Sequence, residues 1–268
     1  MDLIKGEATI AIVNYRTLDI TRLCLRAIRK FTHYPHRVIV VDNDSGDESL
    51  DYLRSVPWIT LIERHFDEKQ TARWYHGSAL NLAFERCETE YFVSMHTDAI
   101  ALRTGWLSML VRAAERDPRI ATVGTGLQGY RSPLYAFFHR MTRFKRFRKR
   151  LMGHPDVAKY RYYNRTQCCL YRTQILRDEG VHFLMDDRYQ GTVGFKLYVE
   201  LEDRGYPMVK IPVREMDKWV AHLGQATQMT NRPDKIKKNQ RRQFKGVYAH
   251  VLNAPGVQAV LADESLDR

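Results

Sequence analysis

Short apolar, β-branched runs alternate with segments whose apolar residues recur every three or four positions through the first half of the chain. Residues 8–13 have the first character and predict a buried strand. Ile20, Leu23, Cys24, Ala27, Ile28 and Phe31 have the second, and fall on one face of a helix. Residues 38–41 predict a second strand that stops at the turn formers Asp42-Asn43-Asp44-Ser45-Gly46. Leu50 and Leu53 predict a short helix and residues 59–62 a third strand. Leu80, Ala83, Phe84 and Cys87 mark another helix, and residues 91–95 a fourth strand running into His96-Thr97-Asp98. A helix through Leu107, Leu110, Val111 and Ala114 and a strand at 120–123 complete the series.

This order predicts an α/β fold with a mostly parallel central sheet and helices on both faces. Such sheets bind ligands beyond the carboxyl ends of their strands. Asp42 and Asp98 both fall at ends of that kind.

The second half is less regular. Residues 168–171 predict a strand, followed by a short helix stopped by Gly180. Phe195, Tyr198 and Leu201 predict a helix ending near Gly205, and 208–211 and 219–221 predict short strands. Pro233 suits the first turn of a last helix through Ile236, Gln240, Phe244, Val247 and Val251. There is no internal repeat. The chain reads as one domain in three parts: residues 1–125, residues 126–232, and a C-terminal helix and tail (233–268).

Composition narrows the class. With 44% hydrophobic residues over 268 positions, the chain has material for a real core. A net charge of +12 points to anionic partners: nucleic acid, an anionic membrane or phosphorylated substrates. Four cysteines without a Cys-x-x-Cys pair read as reduced core residues. Neither a signal peptide nor a run of about 18 apolar residues is present, which predicts a cytoplasmic chain and leaves the Asn164-Arg165-Thr166 sequon without meaning.

Residues 140–152 hold seven Lys or Arg, with Phe144, Phe147 and Leu151 at helical spacing. An apolar stripe flanked by cations suits the inner face of an anionic membrane. A solvated basic face with core-facing aromatics is the plainer alternative. No nucleic-acid module surrounds the run, so no specific nucleic acid is expected.

Three stretches together carry a resemblance. The first joins Ala8-Thr-Ile-Ala-Ile-Val-Asn-Tyr-Arg16, Leu23-Cys-Leu25 and Val38-Ile-Val-Val-Asp-Asn-Asp-Ser-Gly46. The second is Gly77-Ser-Ala-Leu-Asn81 with Thr89-Glu-Tyr-Phe-Val93, and the third is His96-Thr-Asp98 with Gly105-Trp-Leu107. In order and spacing, over roughly the first 125 residues, they resemble glycosyltransferase family 2, of GT-A fold. The resemblance implies transfer of a sugar from a nucleotide-diphosphate donor, UDP-linked by preference, to a glycan or lipid-linked acceptor hydroxyl. It also implies inversion at the sugar carbon, Mn2+ or Mg2+ as cofactor, and a place in surface glycan or glycolipid synthesis.

The chemistry agrees. Negative charge builds on a departing diphosphate, and a divalent cation held by hard oxygens absorbs it. Asp98 matches the metal-binding acid of the family's Asp-x-Asp motif, whose first acid is here His96; His96 is expected to contact the donor's phosphate or ribose, with simple packing as the plainer alternative. Asp42 matches the acid that hydrogen-bonds the nucleobase, Asn14 the nucleotide-edge loop and Asn81 a position near the donor. His222, in Trp219-Val-Ala-His-Leu-Gly-Gln225, matches a late histidine that reaches the metal or the diphosphate. The plainer alternatives are a helix cap for Asp98, a turn for Asp42, and structural roles for Asn81 and His222.

Two features depart from this pattern. The Glu-Asp pair that usually supplies the proton acceptor falls on Val193-Gly194, which leaves Asp187 and its neighbour Asp186 as candidates. Gly124-Thr-Gly126-Leu-Gln-Gly129 fits a dinucleotide fingerprint, but Tyr130 to Pro133 follow where a helix should start, so these glycines read as a turn. A nucleotidyltransferase is the enzymatic rival, disfavoured by the absence of glycine in residues 14–19. A non-catalytic anion- or nucleic-acid-binding protein on the same fold is the other rival.

Overall fold

The computed structural model describes residues 2–126, 128, 163–186, 192–224, 226–231, 245–246, 249 and 251–268. The basic run at 140–152, Asp187 and most of the helix expected from Pro233 lie outside the described residues. The first half contains β1 (Ile4–Asn14), α1 (Leu18–Phe31), β2 (His36–Asn43), α2 (Glu48–Ser55), β3 (Thr60–Arg64) and α3 (Ala72–Glu85). It continues with β4 (Thr89–His96), β5 (Ala99–Ala101), α4 (Trp106–Ala114) and β6 (Thr122–Thr125). The second half contains β7 (Cys168–Arg172), α5 (Thr173–Asp178), α6 (Phe195–Asp203), β8 (Met208–Ile211), α7 (Val213–Met216), β9 (Val220–His222), α8 (Ala226–Asn231) and α9 (Pro255–Ala262).

Seven strands form one sheet in the order β3-β2-β1-β4-β7-β6-β8. All neighbours run parallel except around β7, which is antiparallel to both β4 and β6. The expected mostly parallel α/β sheet is therefore present. The alternation of Cβ directions along each strand explains the layers. Ala8, Ile10 and Ile12 of β1 and Val38 and Val40 of β2 pack with α1, α2, α4 and α9 on one face. Ala11, Ile39 and Val41 pack with α3, α5 and α6 on the other. Strands buried on both faces need continuous apolar runs, and β1, β2 and β4 have them.

Two points differ from the sequence reading. Gly124 lies inside β6, not in a turn. A Cβ there would stand 2.9 Å from Cys169 Sγ and 3.0 Å from Asn164 Cβ, so close packing of β7 and its approach is what requires glycine. The tail also holds its own helix, α9, started by Pro255. This helix and the 3₁₀ turn Glu264–Asp267 return to α1. Buried Arg26 donates to Asp267 at 2.9 and 2.5 Å and to the Leu261 carbonyl, Tyr52 Oη donates to Asp267 at 2.8 Å, and Trp58 Nε1 donates to the Leu266 carbonyl at 3.1 Å.

Candidate active site

The register of the sheet brings the predicted residues to one edge. Asn14 is opposite Asp42 across β1–β2, and Val13 is opposite His96 across β1–β4. Two polar clusters stand at these strand ends.

The first cluster is wholly buried. Asn14 Nδ2 donates to Asp42 Oδ1 at 2.7 Å, Ser49 Oγ at 3.0 Å and Ser45 Oγ at 3.2 Å. Its Oδ1 accepts from Thr21 at 2.8 Å and Thr17 at 3.2 Å, joining the strand end to α1. Asp42 also accepts from the Ser45 backbone N–H at 2.9 Å and the Ser45 hydroxyl at 2.6 Å. These bonds close the turn at 42–45, in which Asp44 adopts φ 60°. Asn14 thus holds Asp42, and three of the carboxylate's four lone-pair sites are in use.

The second cluster surrounds Asp98. Directly after Asp98, the three residues of β5 pair antiparallel with β9, which sets Ala99 opposite His222. The Leu223 N–H donates to the Asp98 carbonyl at 2.9 Å. This small two-stranded ribbon is how a residue far along the chain reaches Asp98. His222 Nε2 lies 3.2 Å and His96 Nδ1 3.8 Å from Asp98 Oδ1, while Oδ2 accepts from the Ala226 N–H at 3.3 Å. Cys24 Sγ steadies the strand end by donating to the Ala99 carbonyl at 3.3 Å.

The ionisation states follow from burial and neighbours. Burial acts to raise the Asp98 pKa, but His222 and His96 outweigh it and hold the carboxyl well below its usual range. Burial lowers the His96 pKa to about 3, with His76 and His222 adding to the effect. Burial opposes protonation of His222 too, yet the adjoining Asp98 raises its pKa.

These groups fit a divalent cation. One ligand atom each from His96, Asp98 and His222 lie within 4.8 Å of one another. His222 is 8% exposed, and neither of its ring nitrogens has an aligned hydrogen-bond partner among the described residues. Asp98, 3.2 Å from Nε2, is the ring's charged neighbour, and a cation between the two would satisfy both the carboxylate and the imidazole.

The remaining expected residues are placed differently. Asn81 Oδ1 accepts from the Phe183 N–H at 2.7 Å, and Gly77, one turn earlier on α3, admits the same segment so closely that a Cβ would stand 3.0 Å from the Phe183 carbonyl oxygen. Together they anchor the segment that leads to Asp186. Val193 is 5% exposed and Gly194 caps α6 at φ 86°, so no carboxylate stands at the usual Glu-Asp position.

Sequence reasoning missed two participants. Thr166 Oγ1 lies 3.3 Å from His96 Nε2, and His76 of α3 packs edge-on against His96 with ring centroids 4.9 Å apart. No spacing rule links these positions; only the tertiary fold does.

A mostly parallel α/β sheet flanked by helices, with a polar site beyond the ends of its strands, has the layout of a GT-A fold. The chain belongs to glycosyl transferase family 2, whose model matches residues 9–180. Among solved structures it is similar to the mannosyltransferase PcManGT from Pyrobaculum calidifontis in complex with GDP-Man and Mn2+. That match has a TM-score of 0.55 and 18% identity over 95% of this chain and 74% of that one. It is also similar to residues 1–349 of S. aureus TarS in complex with UDP-GlcNAc, with a TM-score of 0.55 and 13% identity over 96% and 70% of the two chains. At these identities the likeness concerns the fold. No curated protein matches the sequence. Among the described residues, no helix is long and apolar enough to cross a membrane.

Proposed function

We propose that this glycosyltransferase moves a sugar, with inversion, from a nucleotide-diphosphate donor to a hydroxyl of a glycan or lipid-linked acceptor, in surface glycan or glycolipid synthesis. The observation that carries the reading is the His96–Asp98–His222 cluster beyond β4, in which Asp98 and His222 are buried and His96 is partly exposed. It is supported by the nucleotide sugars bound to GT-A neighbours, GDP-Man with Mn2+ in one and UDP-GlcNAc in another. A UDP-sugar is the first donor to test.

Residues 1–125 hold the donor in this reading, and residues 126–232 shape the acceptor side. Asn14 and Asp42 form the nucleobase end, where the last lone-pair site of Asp42 accepts from a base N–H. Asp98 and His222, with His96, hold Mn2+ or Mg2+, which neutralises charge on the departing diphosphate. Asn81 and Gly77 fix the segment before Asp186. Asp186 or Asp187 takes the acceptor's proton as the sugar carbon is attacked. The cationic residues at 140–152 hold the chain against anionic lipid, so replacing them removes binding to anionic vesicles; unchanged binding overturns that part.

The deciding experiment is a thermal-shift series of nucleoside diphosphates with and without Mn2+, on wild type and Asp98→Ala. A ligand that binds only the folded state raises apparent stability. An Mn2+-dependent shift with one nucleotide, lost in the variant, is expected. No shift with any nucleotide overturns the proposal.

A further inference from the structure

The donor atoms in the cluster are unusual for a site that serves a diphosphate. Two imidazoles and one carboxylate face one another, so nitrogen outnumbers oxygen. Position 96 carries the histidine, and its ring is held from two sides. Thr166 Oγ1 lies 3.3 Å from Nε2, which leaves Nδ1 as the nitrogen turned toward Asp98. When Nε2–H donates to Thr166, Nδ1 keeps its lone pair; this is how outer-shell partners fix the tautomer of a metal-binding histidine.

His76 packs at 89° to the His96 ring and prevents it from rotating away. Its own Nε2 is buried without a hydrogen-bond partner among the described residues. His222 lies with its ring centroid 5.7 Å from that of His96.

We propose that the His96–Asp98–His222 site selects a borderline first-row transition ion and discriminates against Mg2+, and that His76 is a positioning residue for His96. The proposal rests on the divalent-ion part of the function proposed above. Mg2+ prefers hard oxygen ligands and near-ideal octahedral geometry. Imidazole suits Fe2+, Ni2+, Cu2+ and Zn2+, and affinity for nitrogen sites rises from Mn2+ through Fe2+, Co2+ and Ni2+ to Cu2+, with Zn2+ below Cu2+. A histidine at position 96 removes one hard oxygen and one negative charge from what an acid pair there would offer.

The test uses the full chain stripped of metal and titrated with Co2+, whose visible d–d absorption changes when protein ligands replace its water shell. Saturable Co2+ absorption is expected, resistant to about a hundredfold excess of Mg2+ and reversed by Zn2+. His96→Asp, which restores an acid pair around Thr97, is expected to weaken the absorption and let Mg2+ compete. His76→Leu is expected to weaken Co2+ binding roughly tenfold while Asp98 and His222 remain.

Displacement of Co2+ by an equal concentration of Mg2+, or absence of Co2+ absorption in a chain with native circular dichroism, overturns the selectivity. Unchanged Co2+ affinity in folded His76→Leu overturns the positioning role. UDP and GDP separate this inference from the donor reading. A nucleotide that binds equally well with Mg2+ and Co2+ overturns the selectivity and leaves the donor site standing. Co2+ binding with no nucleotide recognised overturns the donor site and leaves the selectivity standing.

Discussion

Gly194 and Thr166 interlock: a Cβ on Gly194 would stand 2.8 Å from Thr166 Cγ2, and Gly194 itself sits at φ 86°. The position where relatives usually carry an acid is therefore closed by the residue that touches His96. The two departures from the family pattern, histidine at 96 and glycine at 194, meet at one threonine. Gly194→Ala is expected to lower stability by about 1–3 kcal/mol, from backbone strain and the methyl clash together. Adding Thr166→Ser removes the methyl and keeps the hydroxyl, so part of the loss should return. Urea denaturation of the single and double variants measures both; a neutral Gly194→Ala contradicts the interlock.

Asn14 serves as a donor to three oxygens in the first cluster, and a carboxylate cannot. Asn14→Asp sets a second negative charge against Asp42 and removes every donated bond. A loss on the order of 2–4 kcal/mol is expected, with nucleotide binding weakened even where the chain still folds. Asn14→Ser, which keeps one donor, should fall between the two. Melting temperature and nucleotide titration are the readouts.

The absence of an acid at 193–194 makes the proton acceptor a kinetic question. Asp186→Asn and Asp187→Asn are each to be compared with wild type. The acceptor is the residue whose loss lowers kcat about 10²–10⁴-fold while donor affinity stays within the error of the titration. If neither variant changes kcat, the acceptor's proton leaves by another route.

The tail clamp predicts acid sensitivity. Burial acts to raise the Asp267 pKa, but the bonds from Arg26 and Tyr52 outweigh it, so the folded value lies below the usual 3.8. A depressed carboxyl stabilises the fold above its unfolded pKa, and that share is lost as pH falls through the folded value. From about pH 5 to about pH 2, wild type should lose more stability than Asp267→Asn. At neutral pH the variant should be weaker by on the order of 3 kcal/mol, because Arg26, 4% exposed, keeps a buried charge without its anion. Parallel acid titrations of melting temperature settle the point.

Much of the fold was legible because β1, β2 and β4 are buried on both faces, which forces continuous Val, Ile and Ala runs. The strand-end acids Asp42 and Asp98 stood out for the same reason: a charge directly after such a run has to have a use. The Ala99–Ala101 strand was not legible, since three small residues carry no period and their pairing depends on β9, over a hundred residues later. His76 was hidden for a related reason. It sits in a helix otherwise marked by Leu80, Ala83 and Phe84, and its meaning comes from His96 across the fold. Asn81 matched a family position and proved to hold the Phe183 backbone, an engagement that a sequence motif cannot distinguish from ligand contact.

The position of β7 has a consequence for how the molecule is made. β4 and β6 are never neighbours; the strand between them comes from residues 168–172. A chain emerging from the ribosome can complete β3-β2-β1-β4 early, but it then presents β4 as a bare edge and β6 as a strand with nowhere to pair. That state lasts until some forty further residues have been synthesised and β7 slots in. The late arrival of one five-residue strand converts two open edges into a continuous sheet, so the interval before it is when the nascent protein is most exposed to edge-to-edge association.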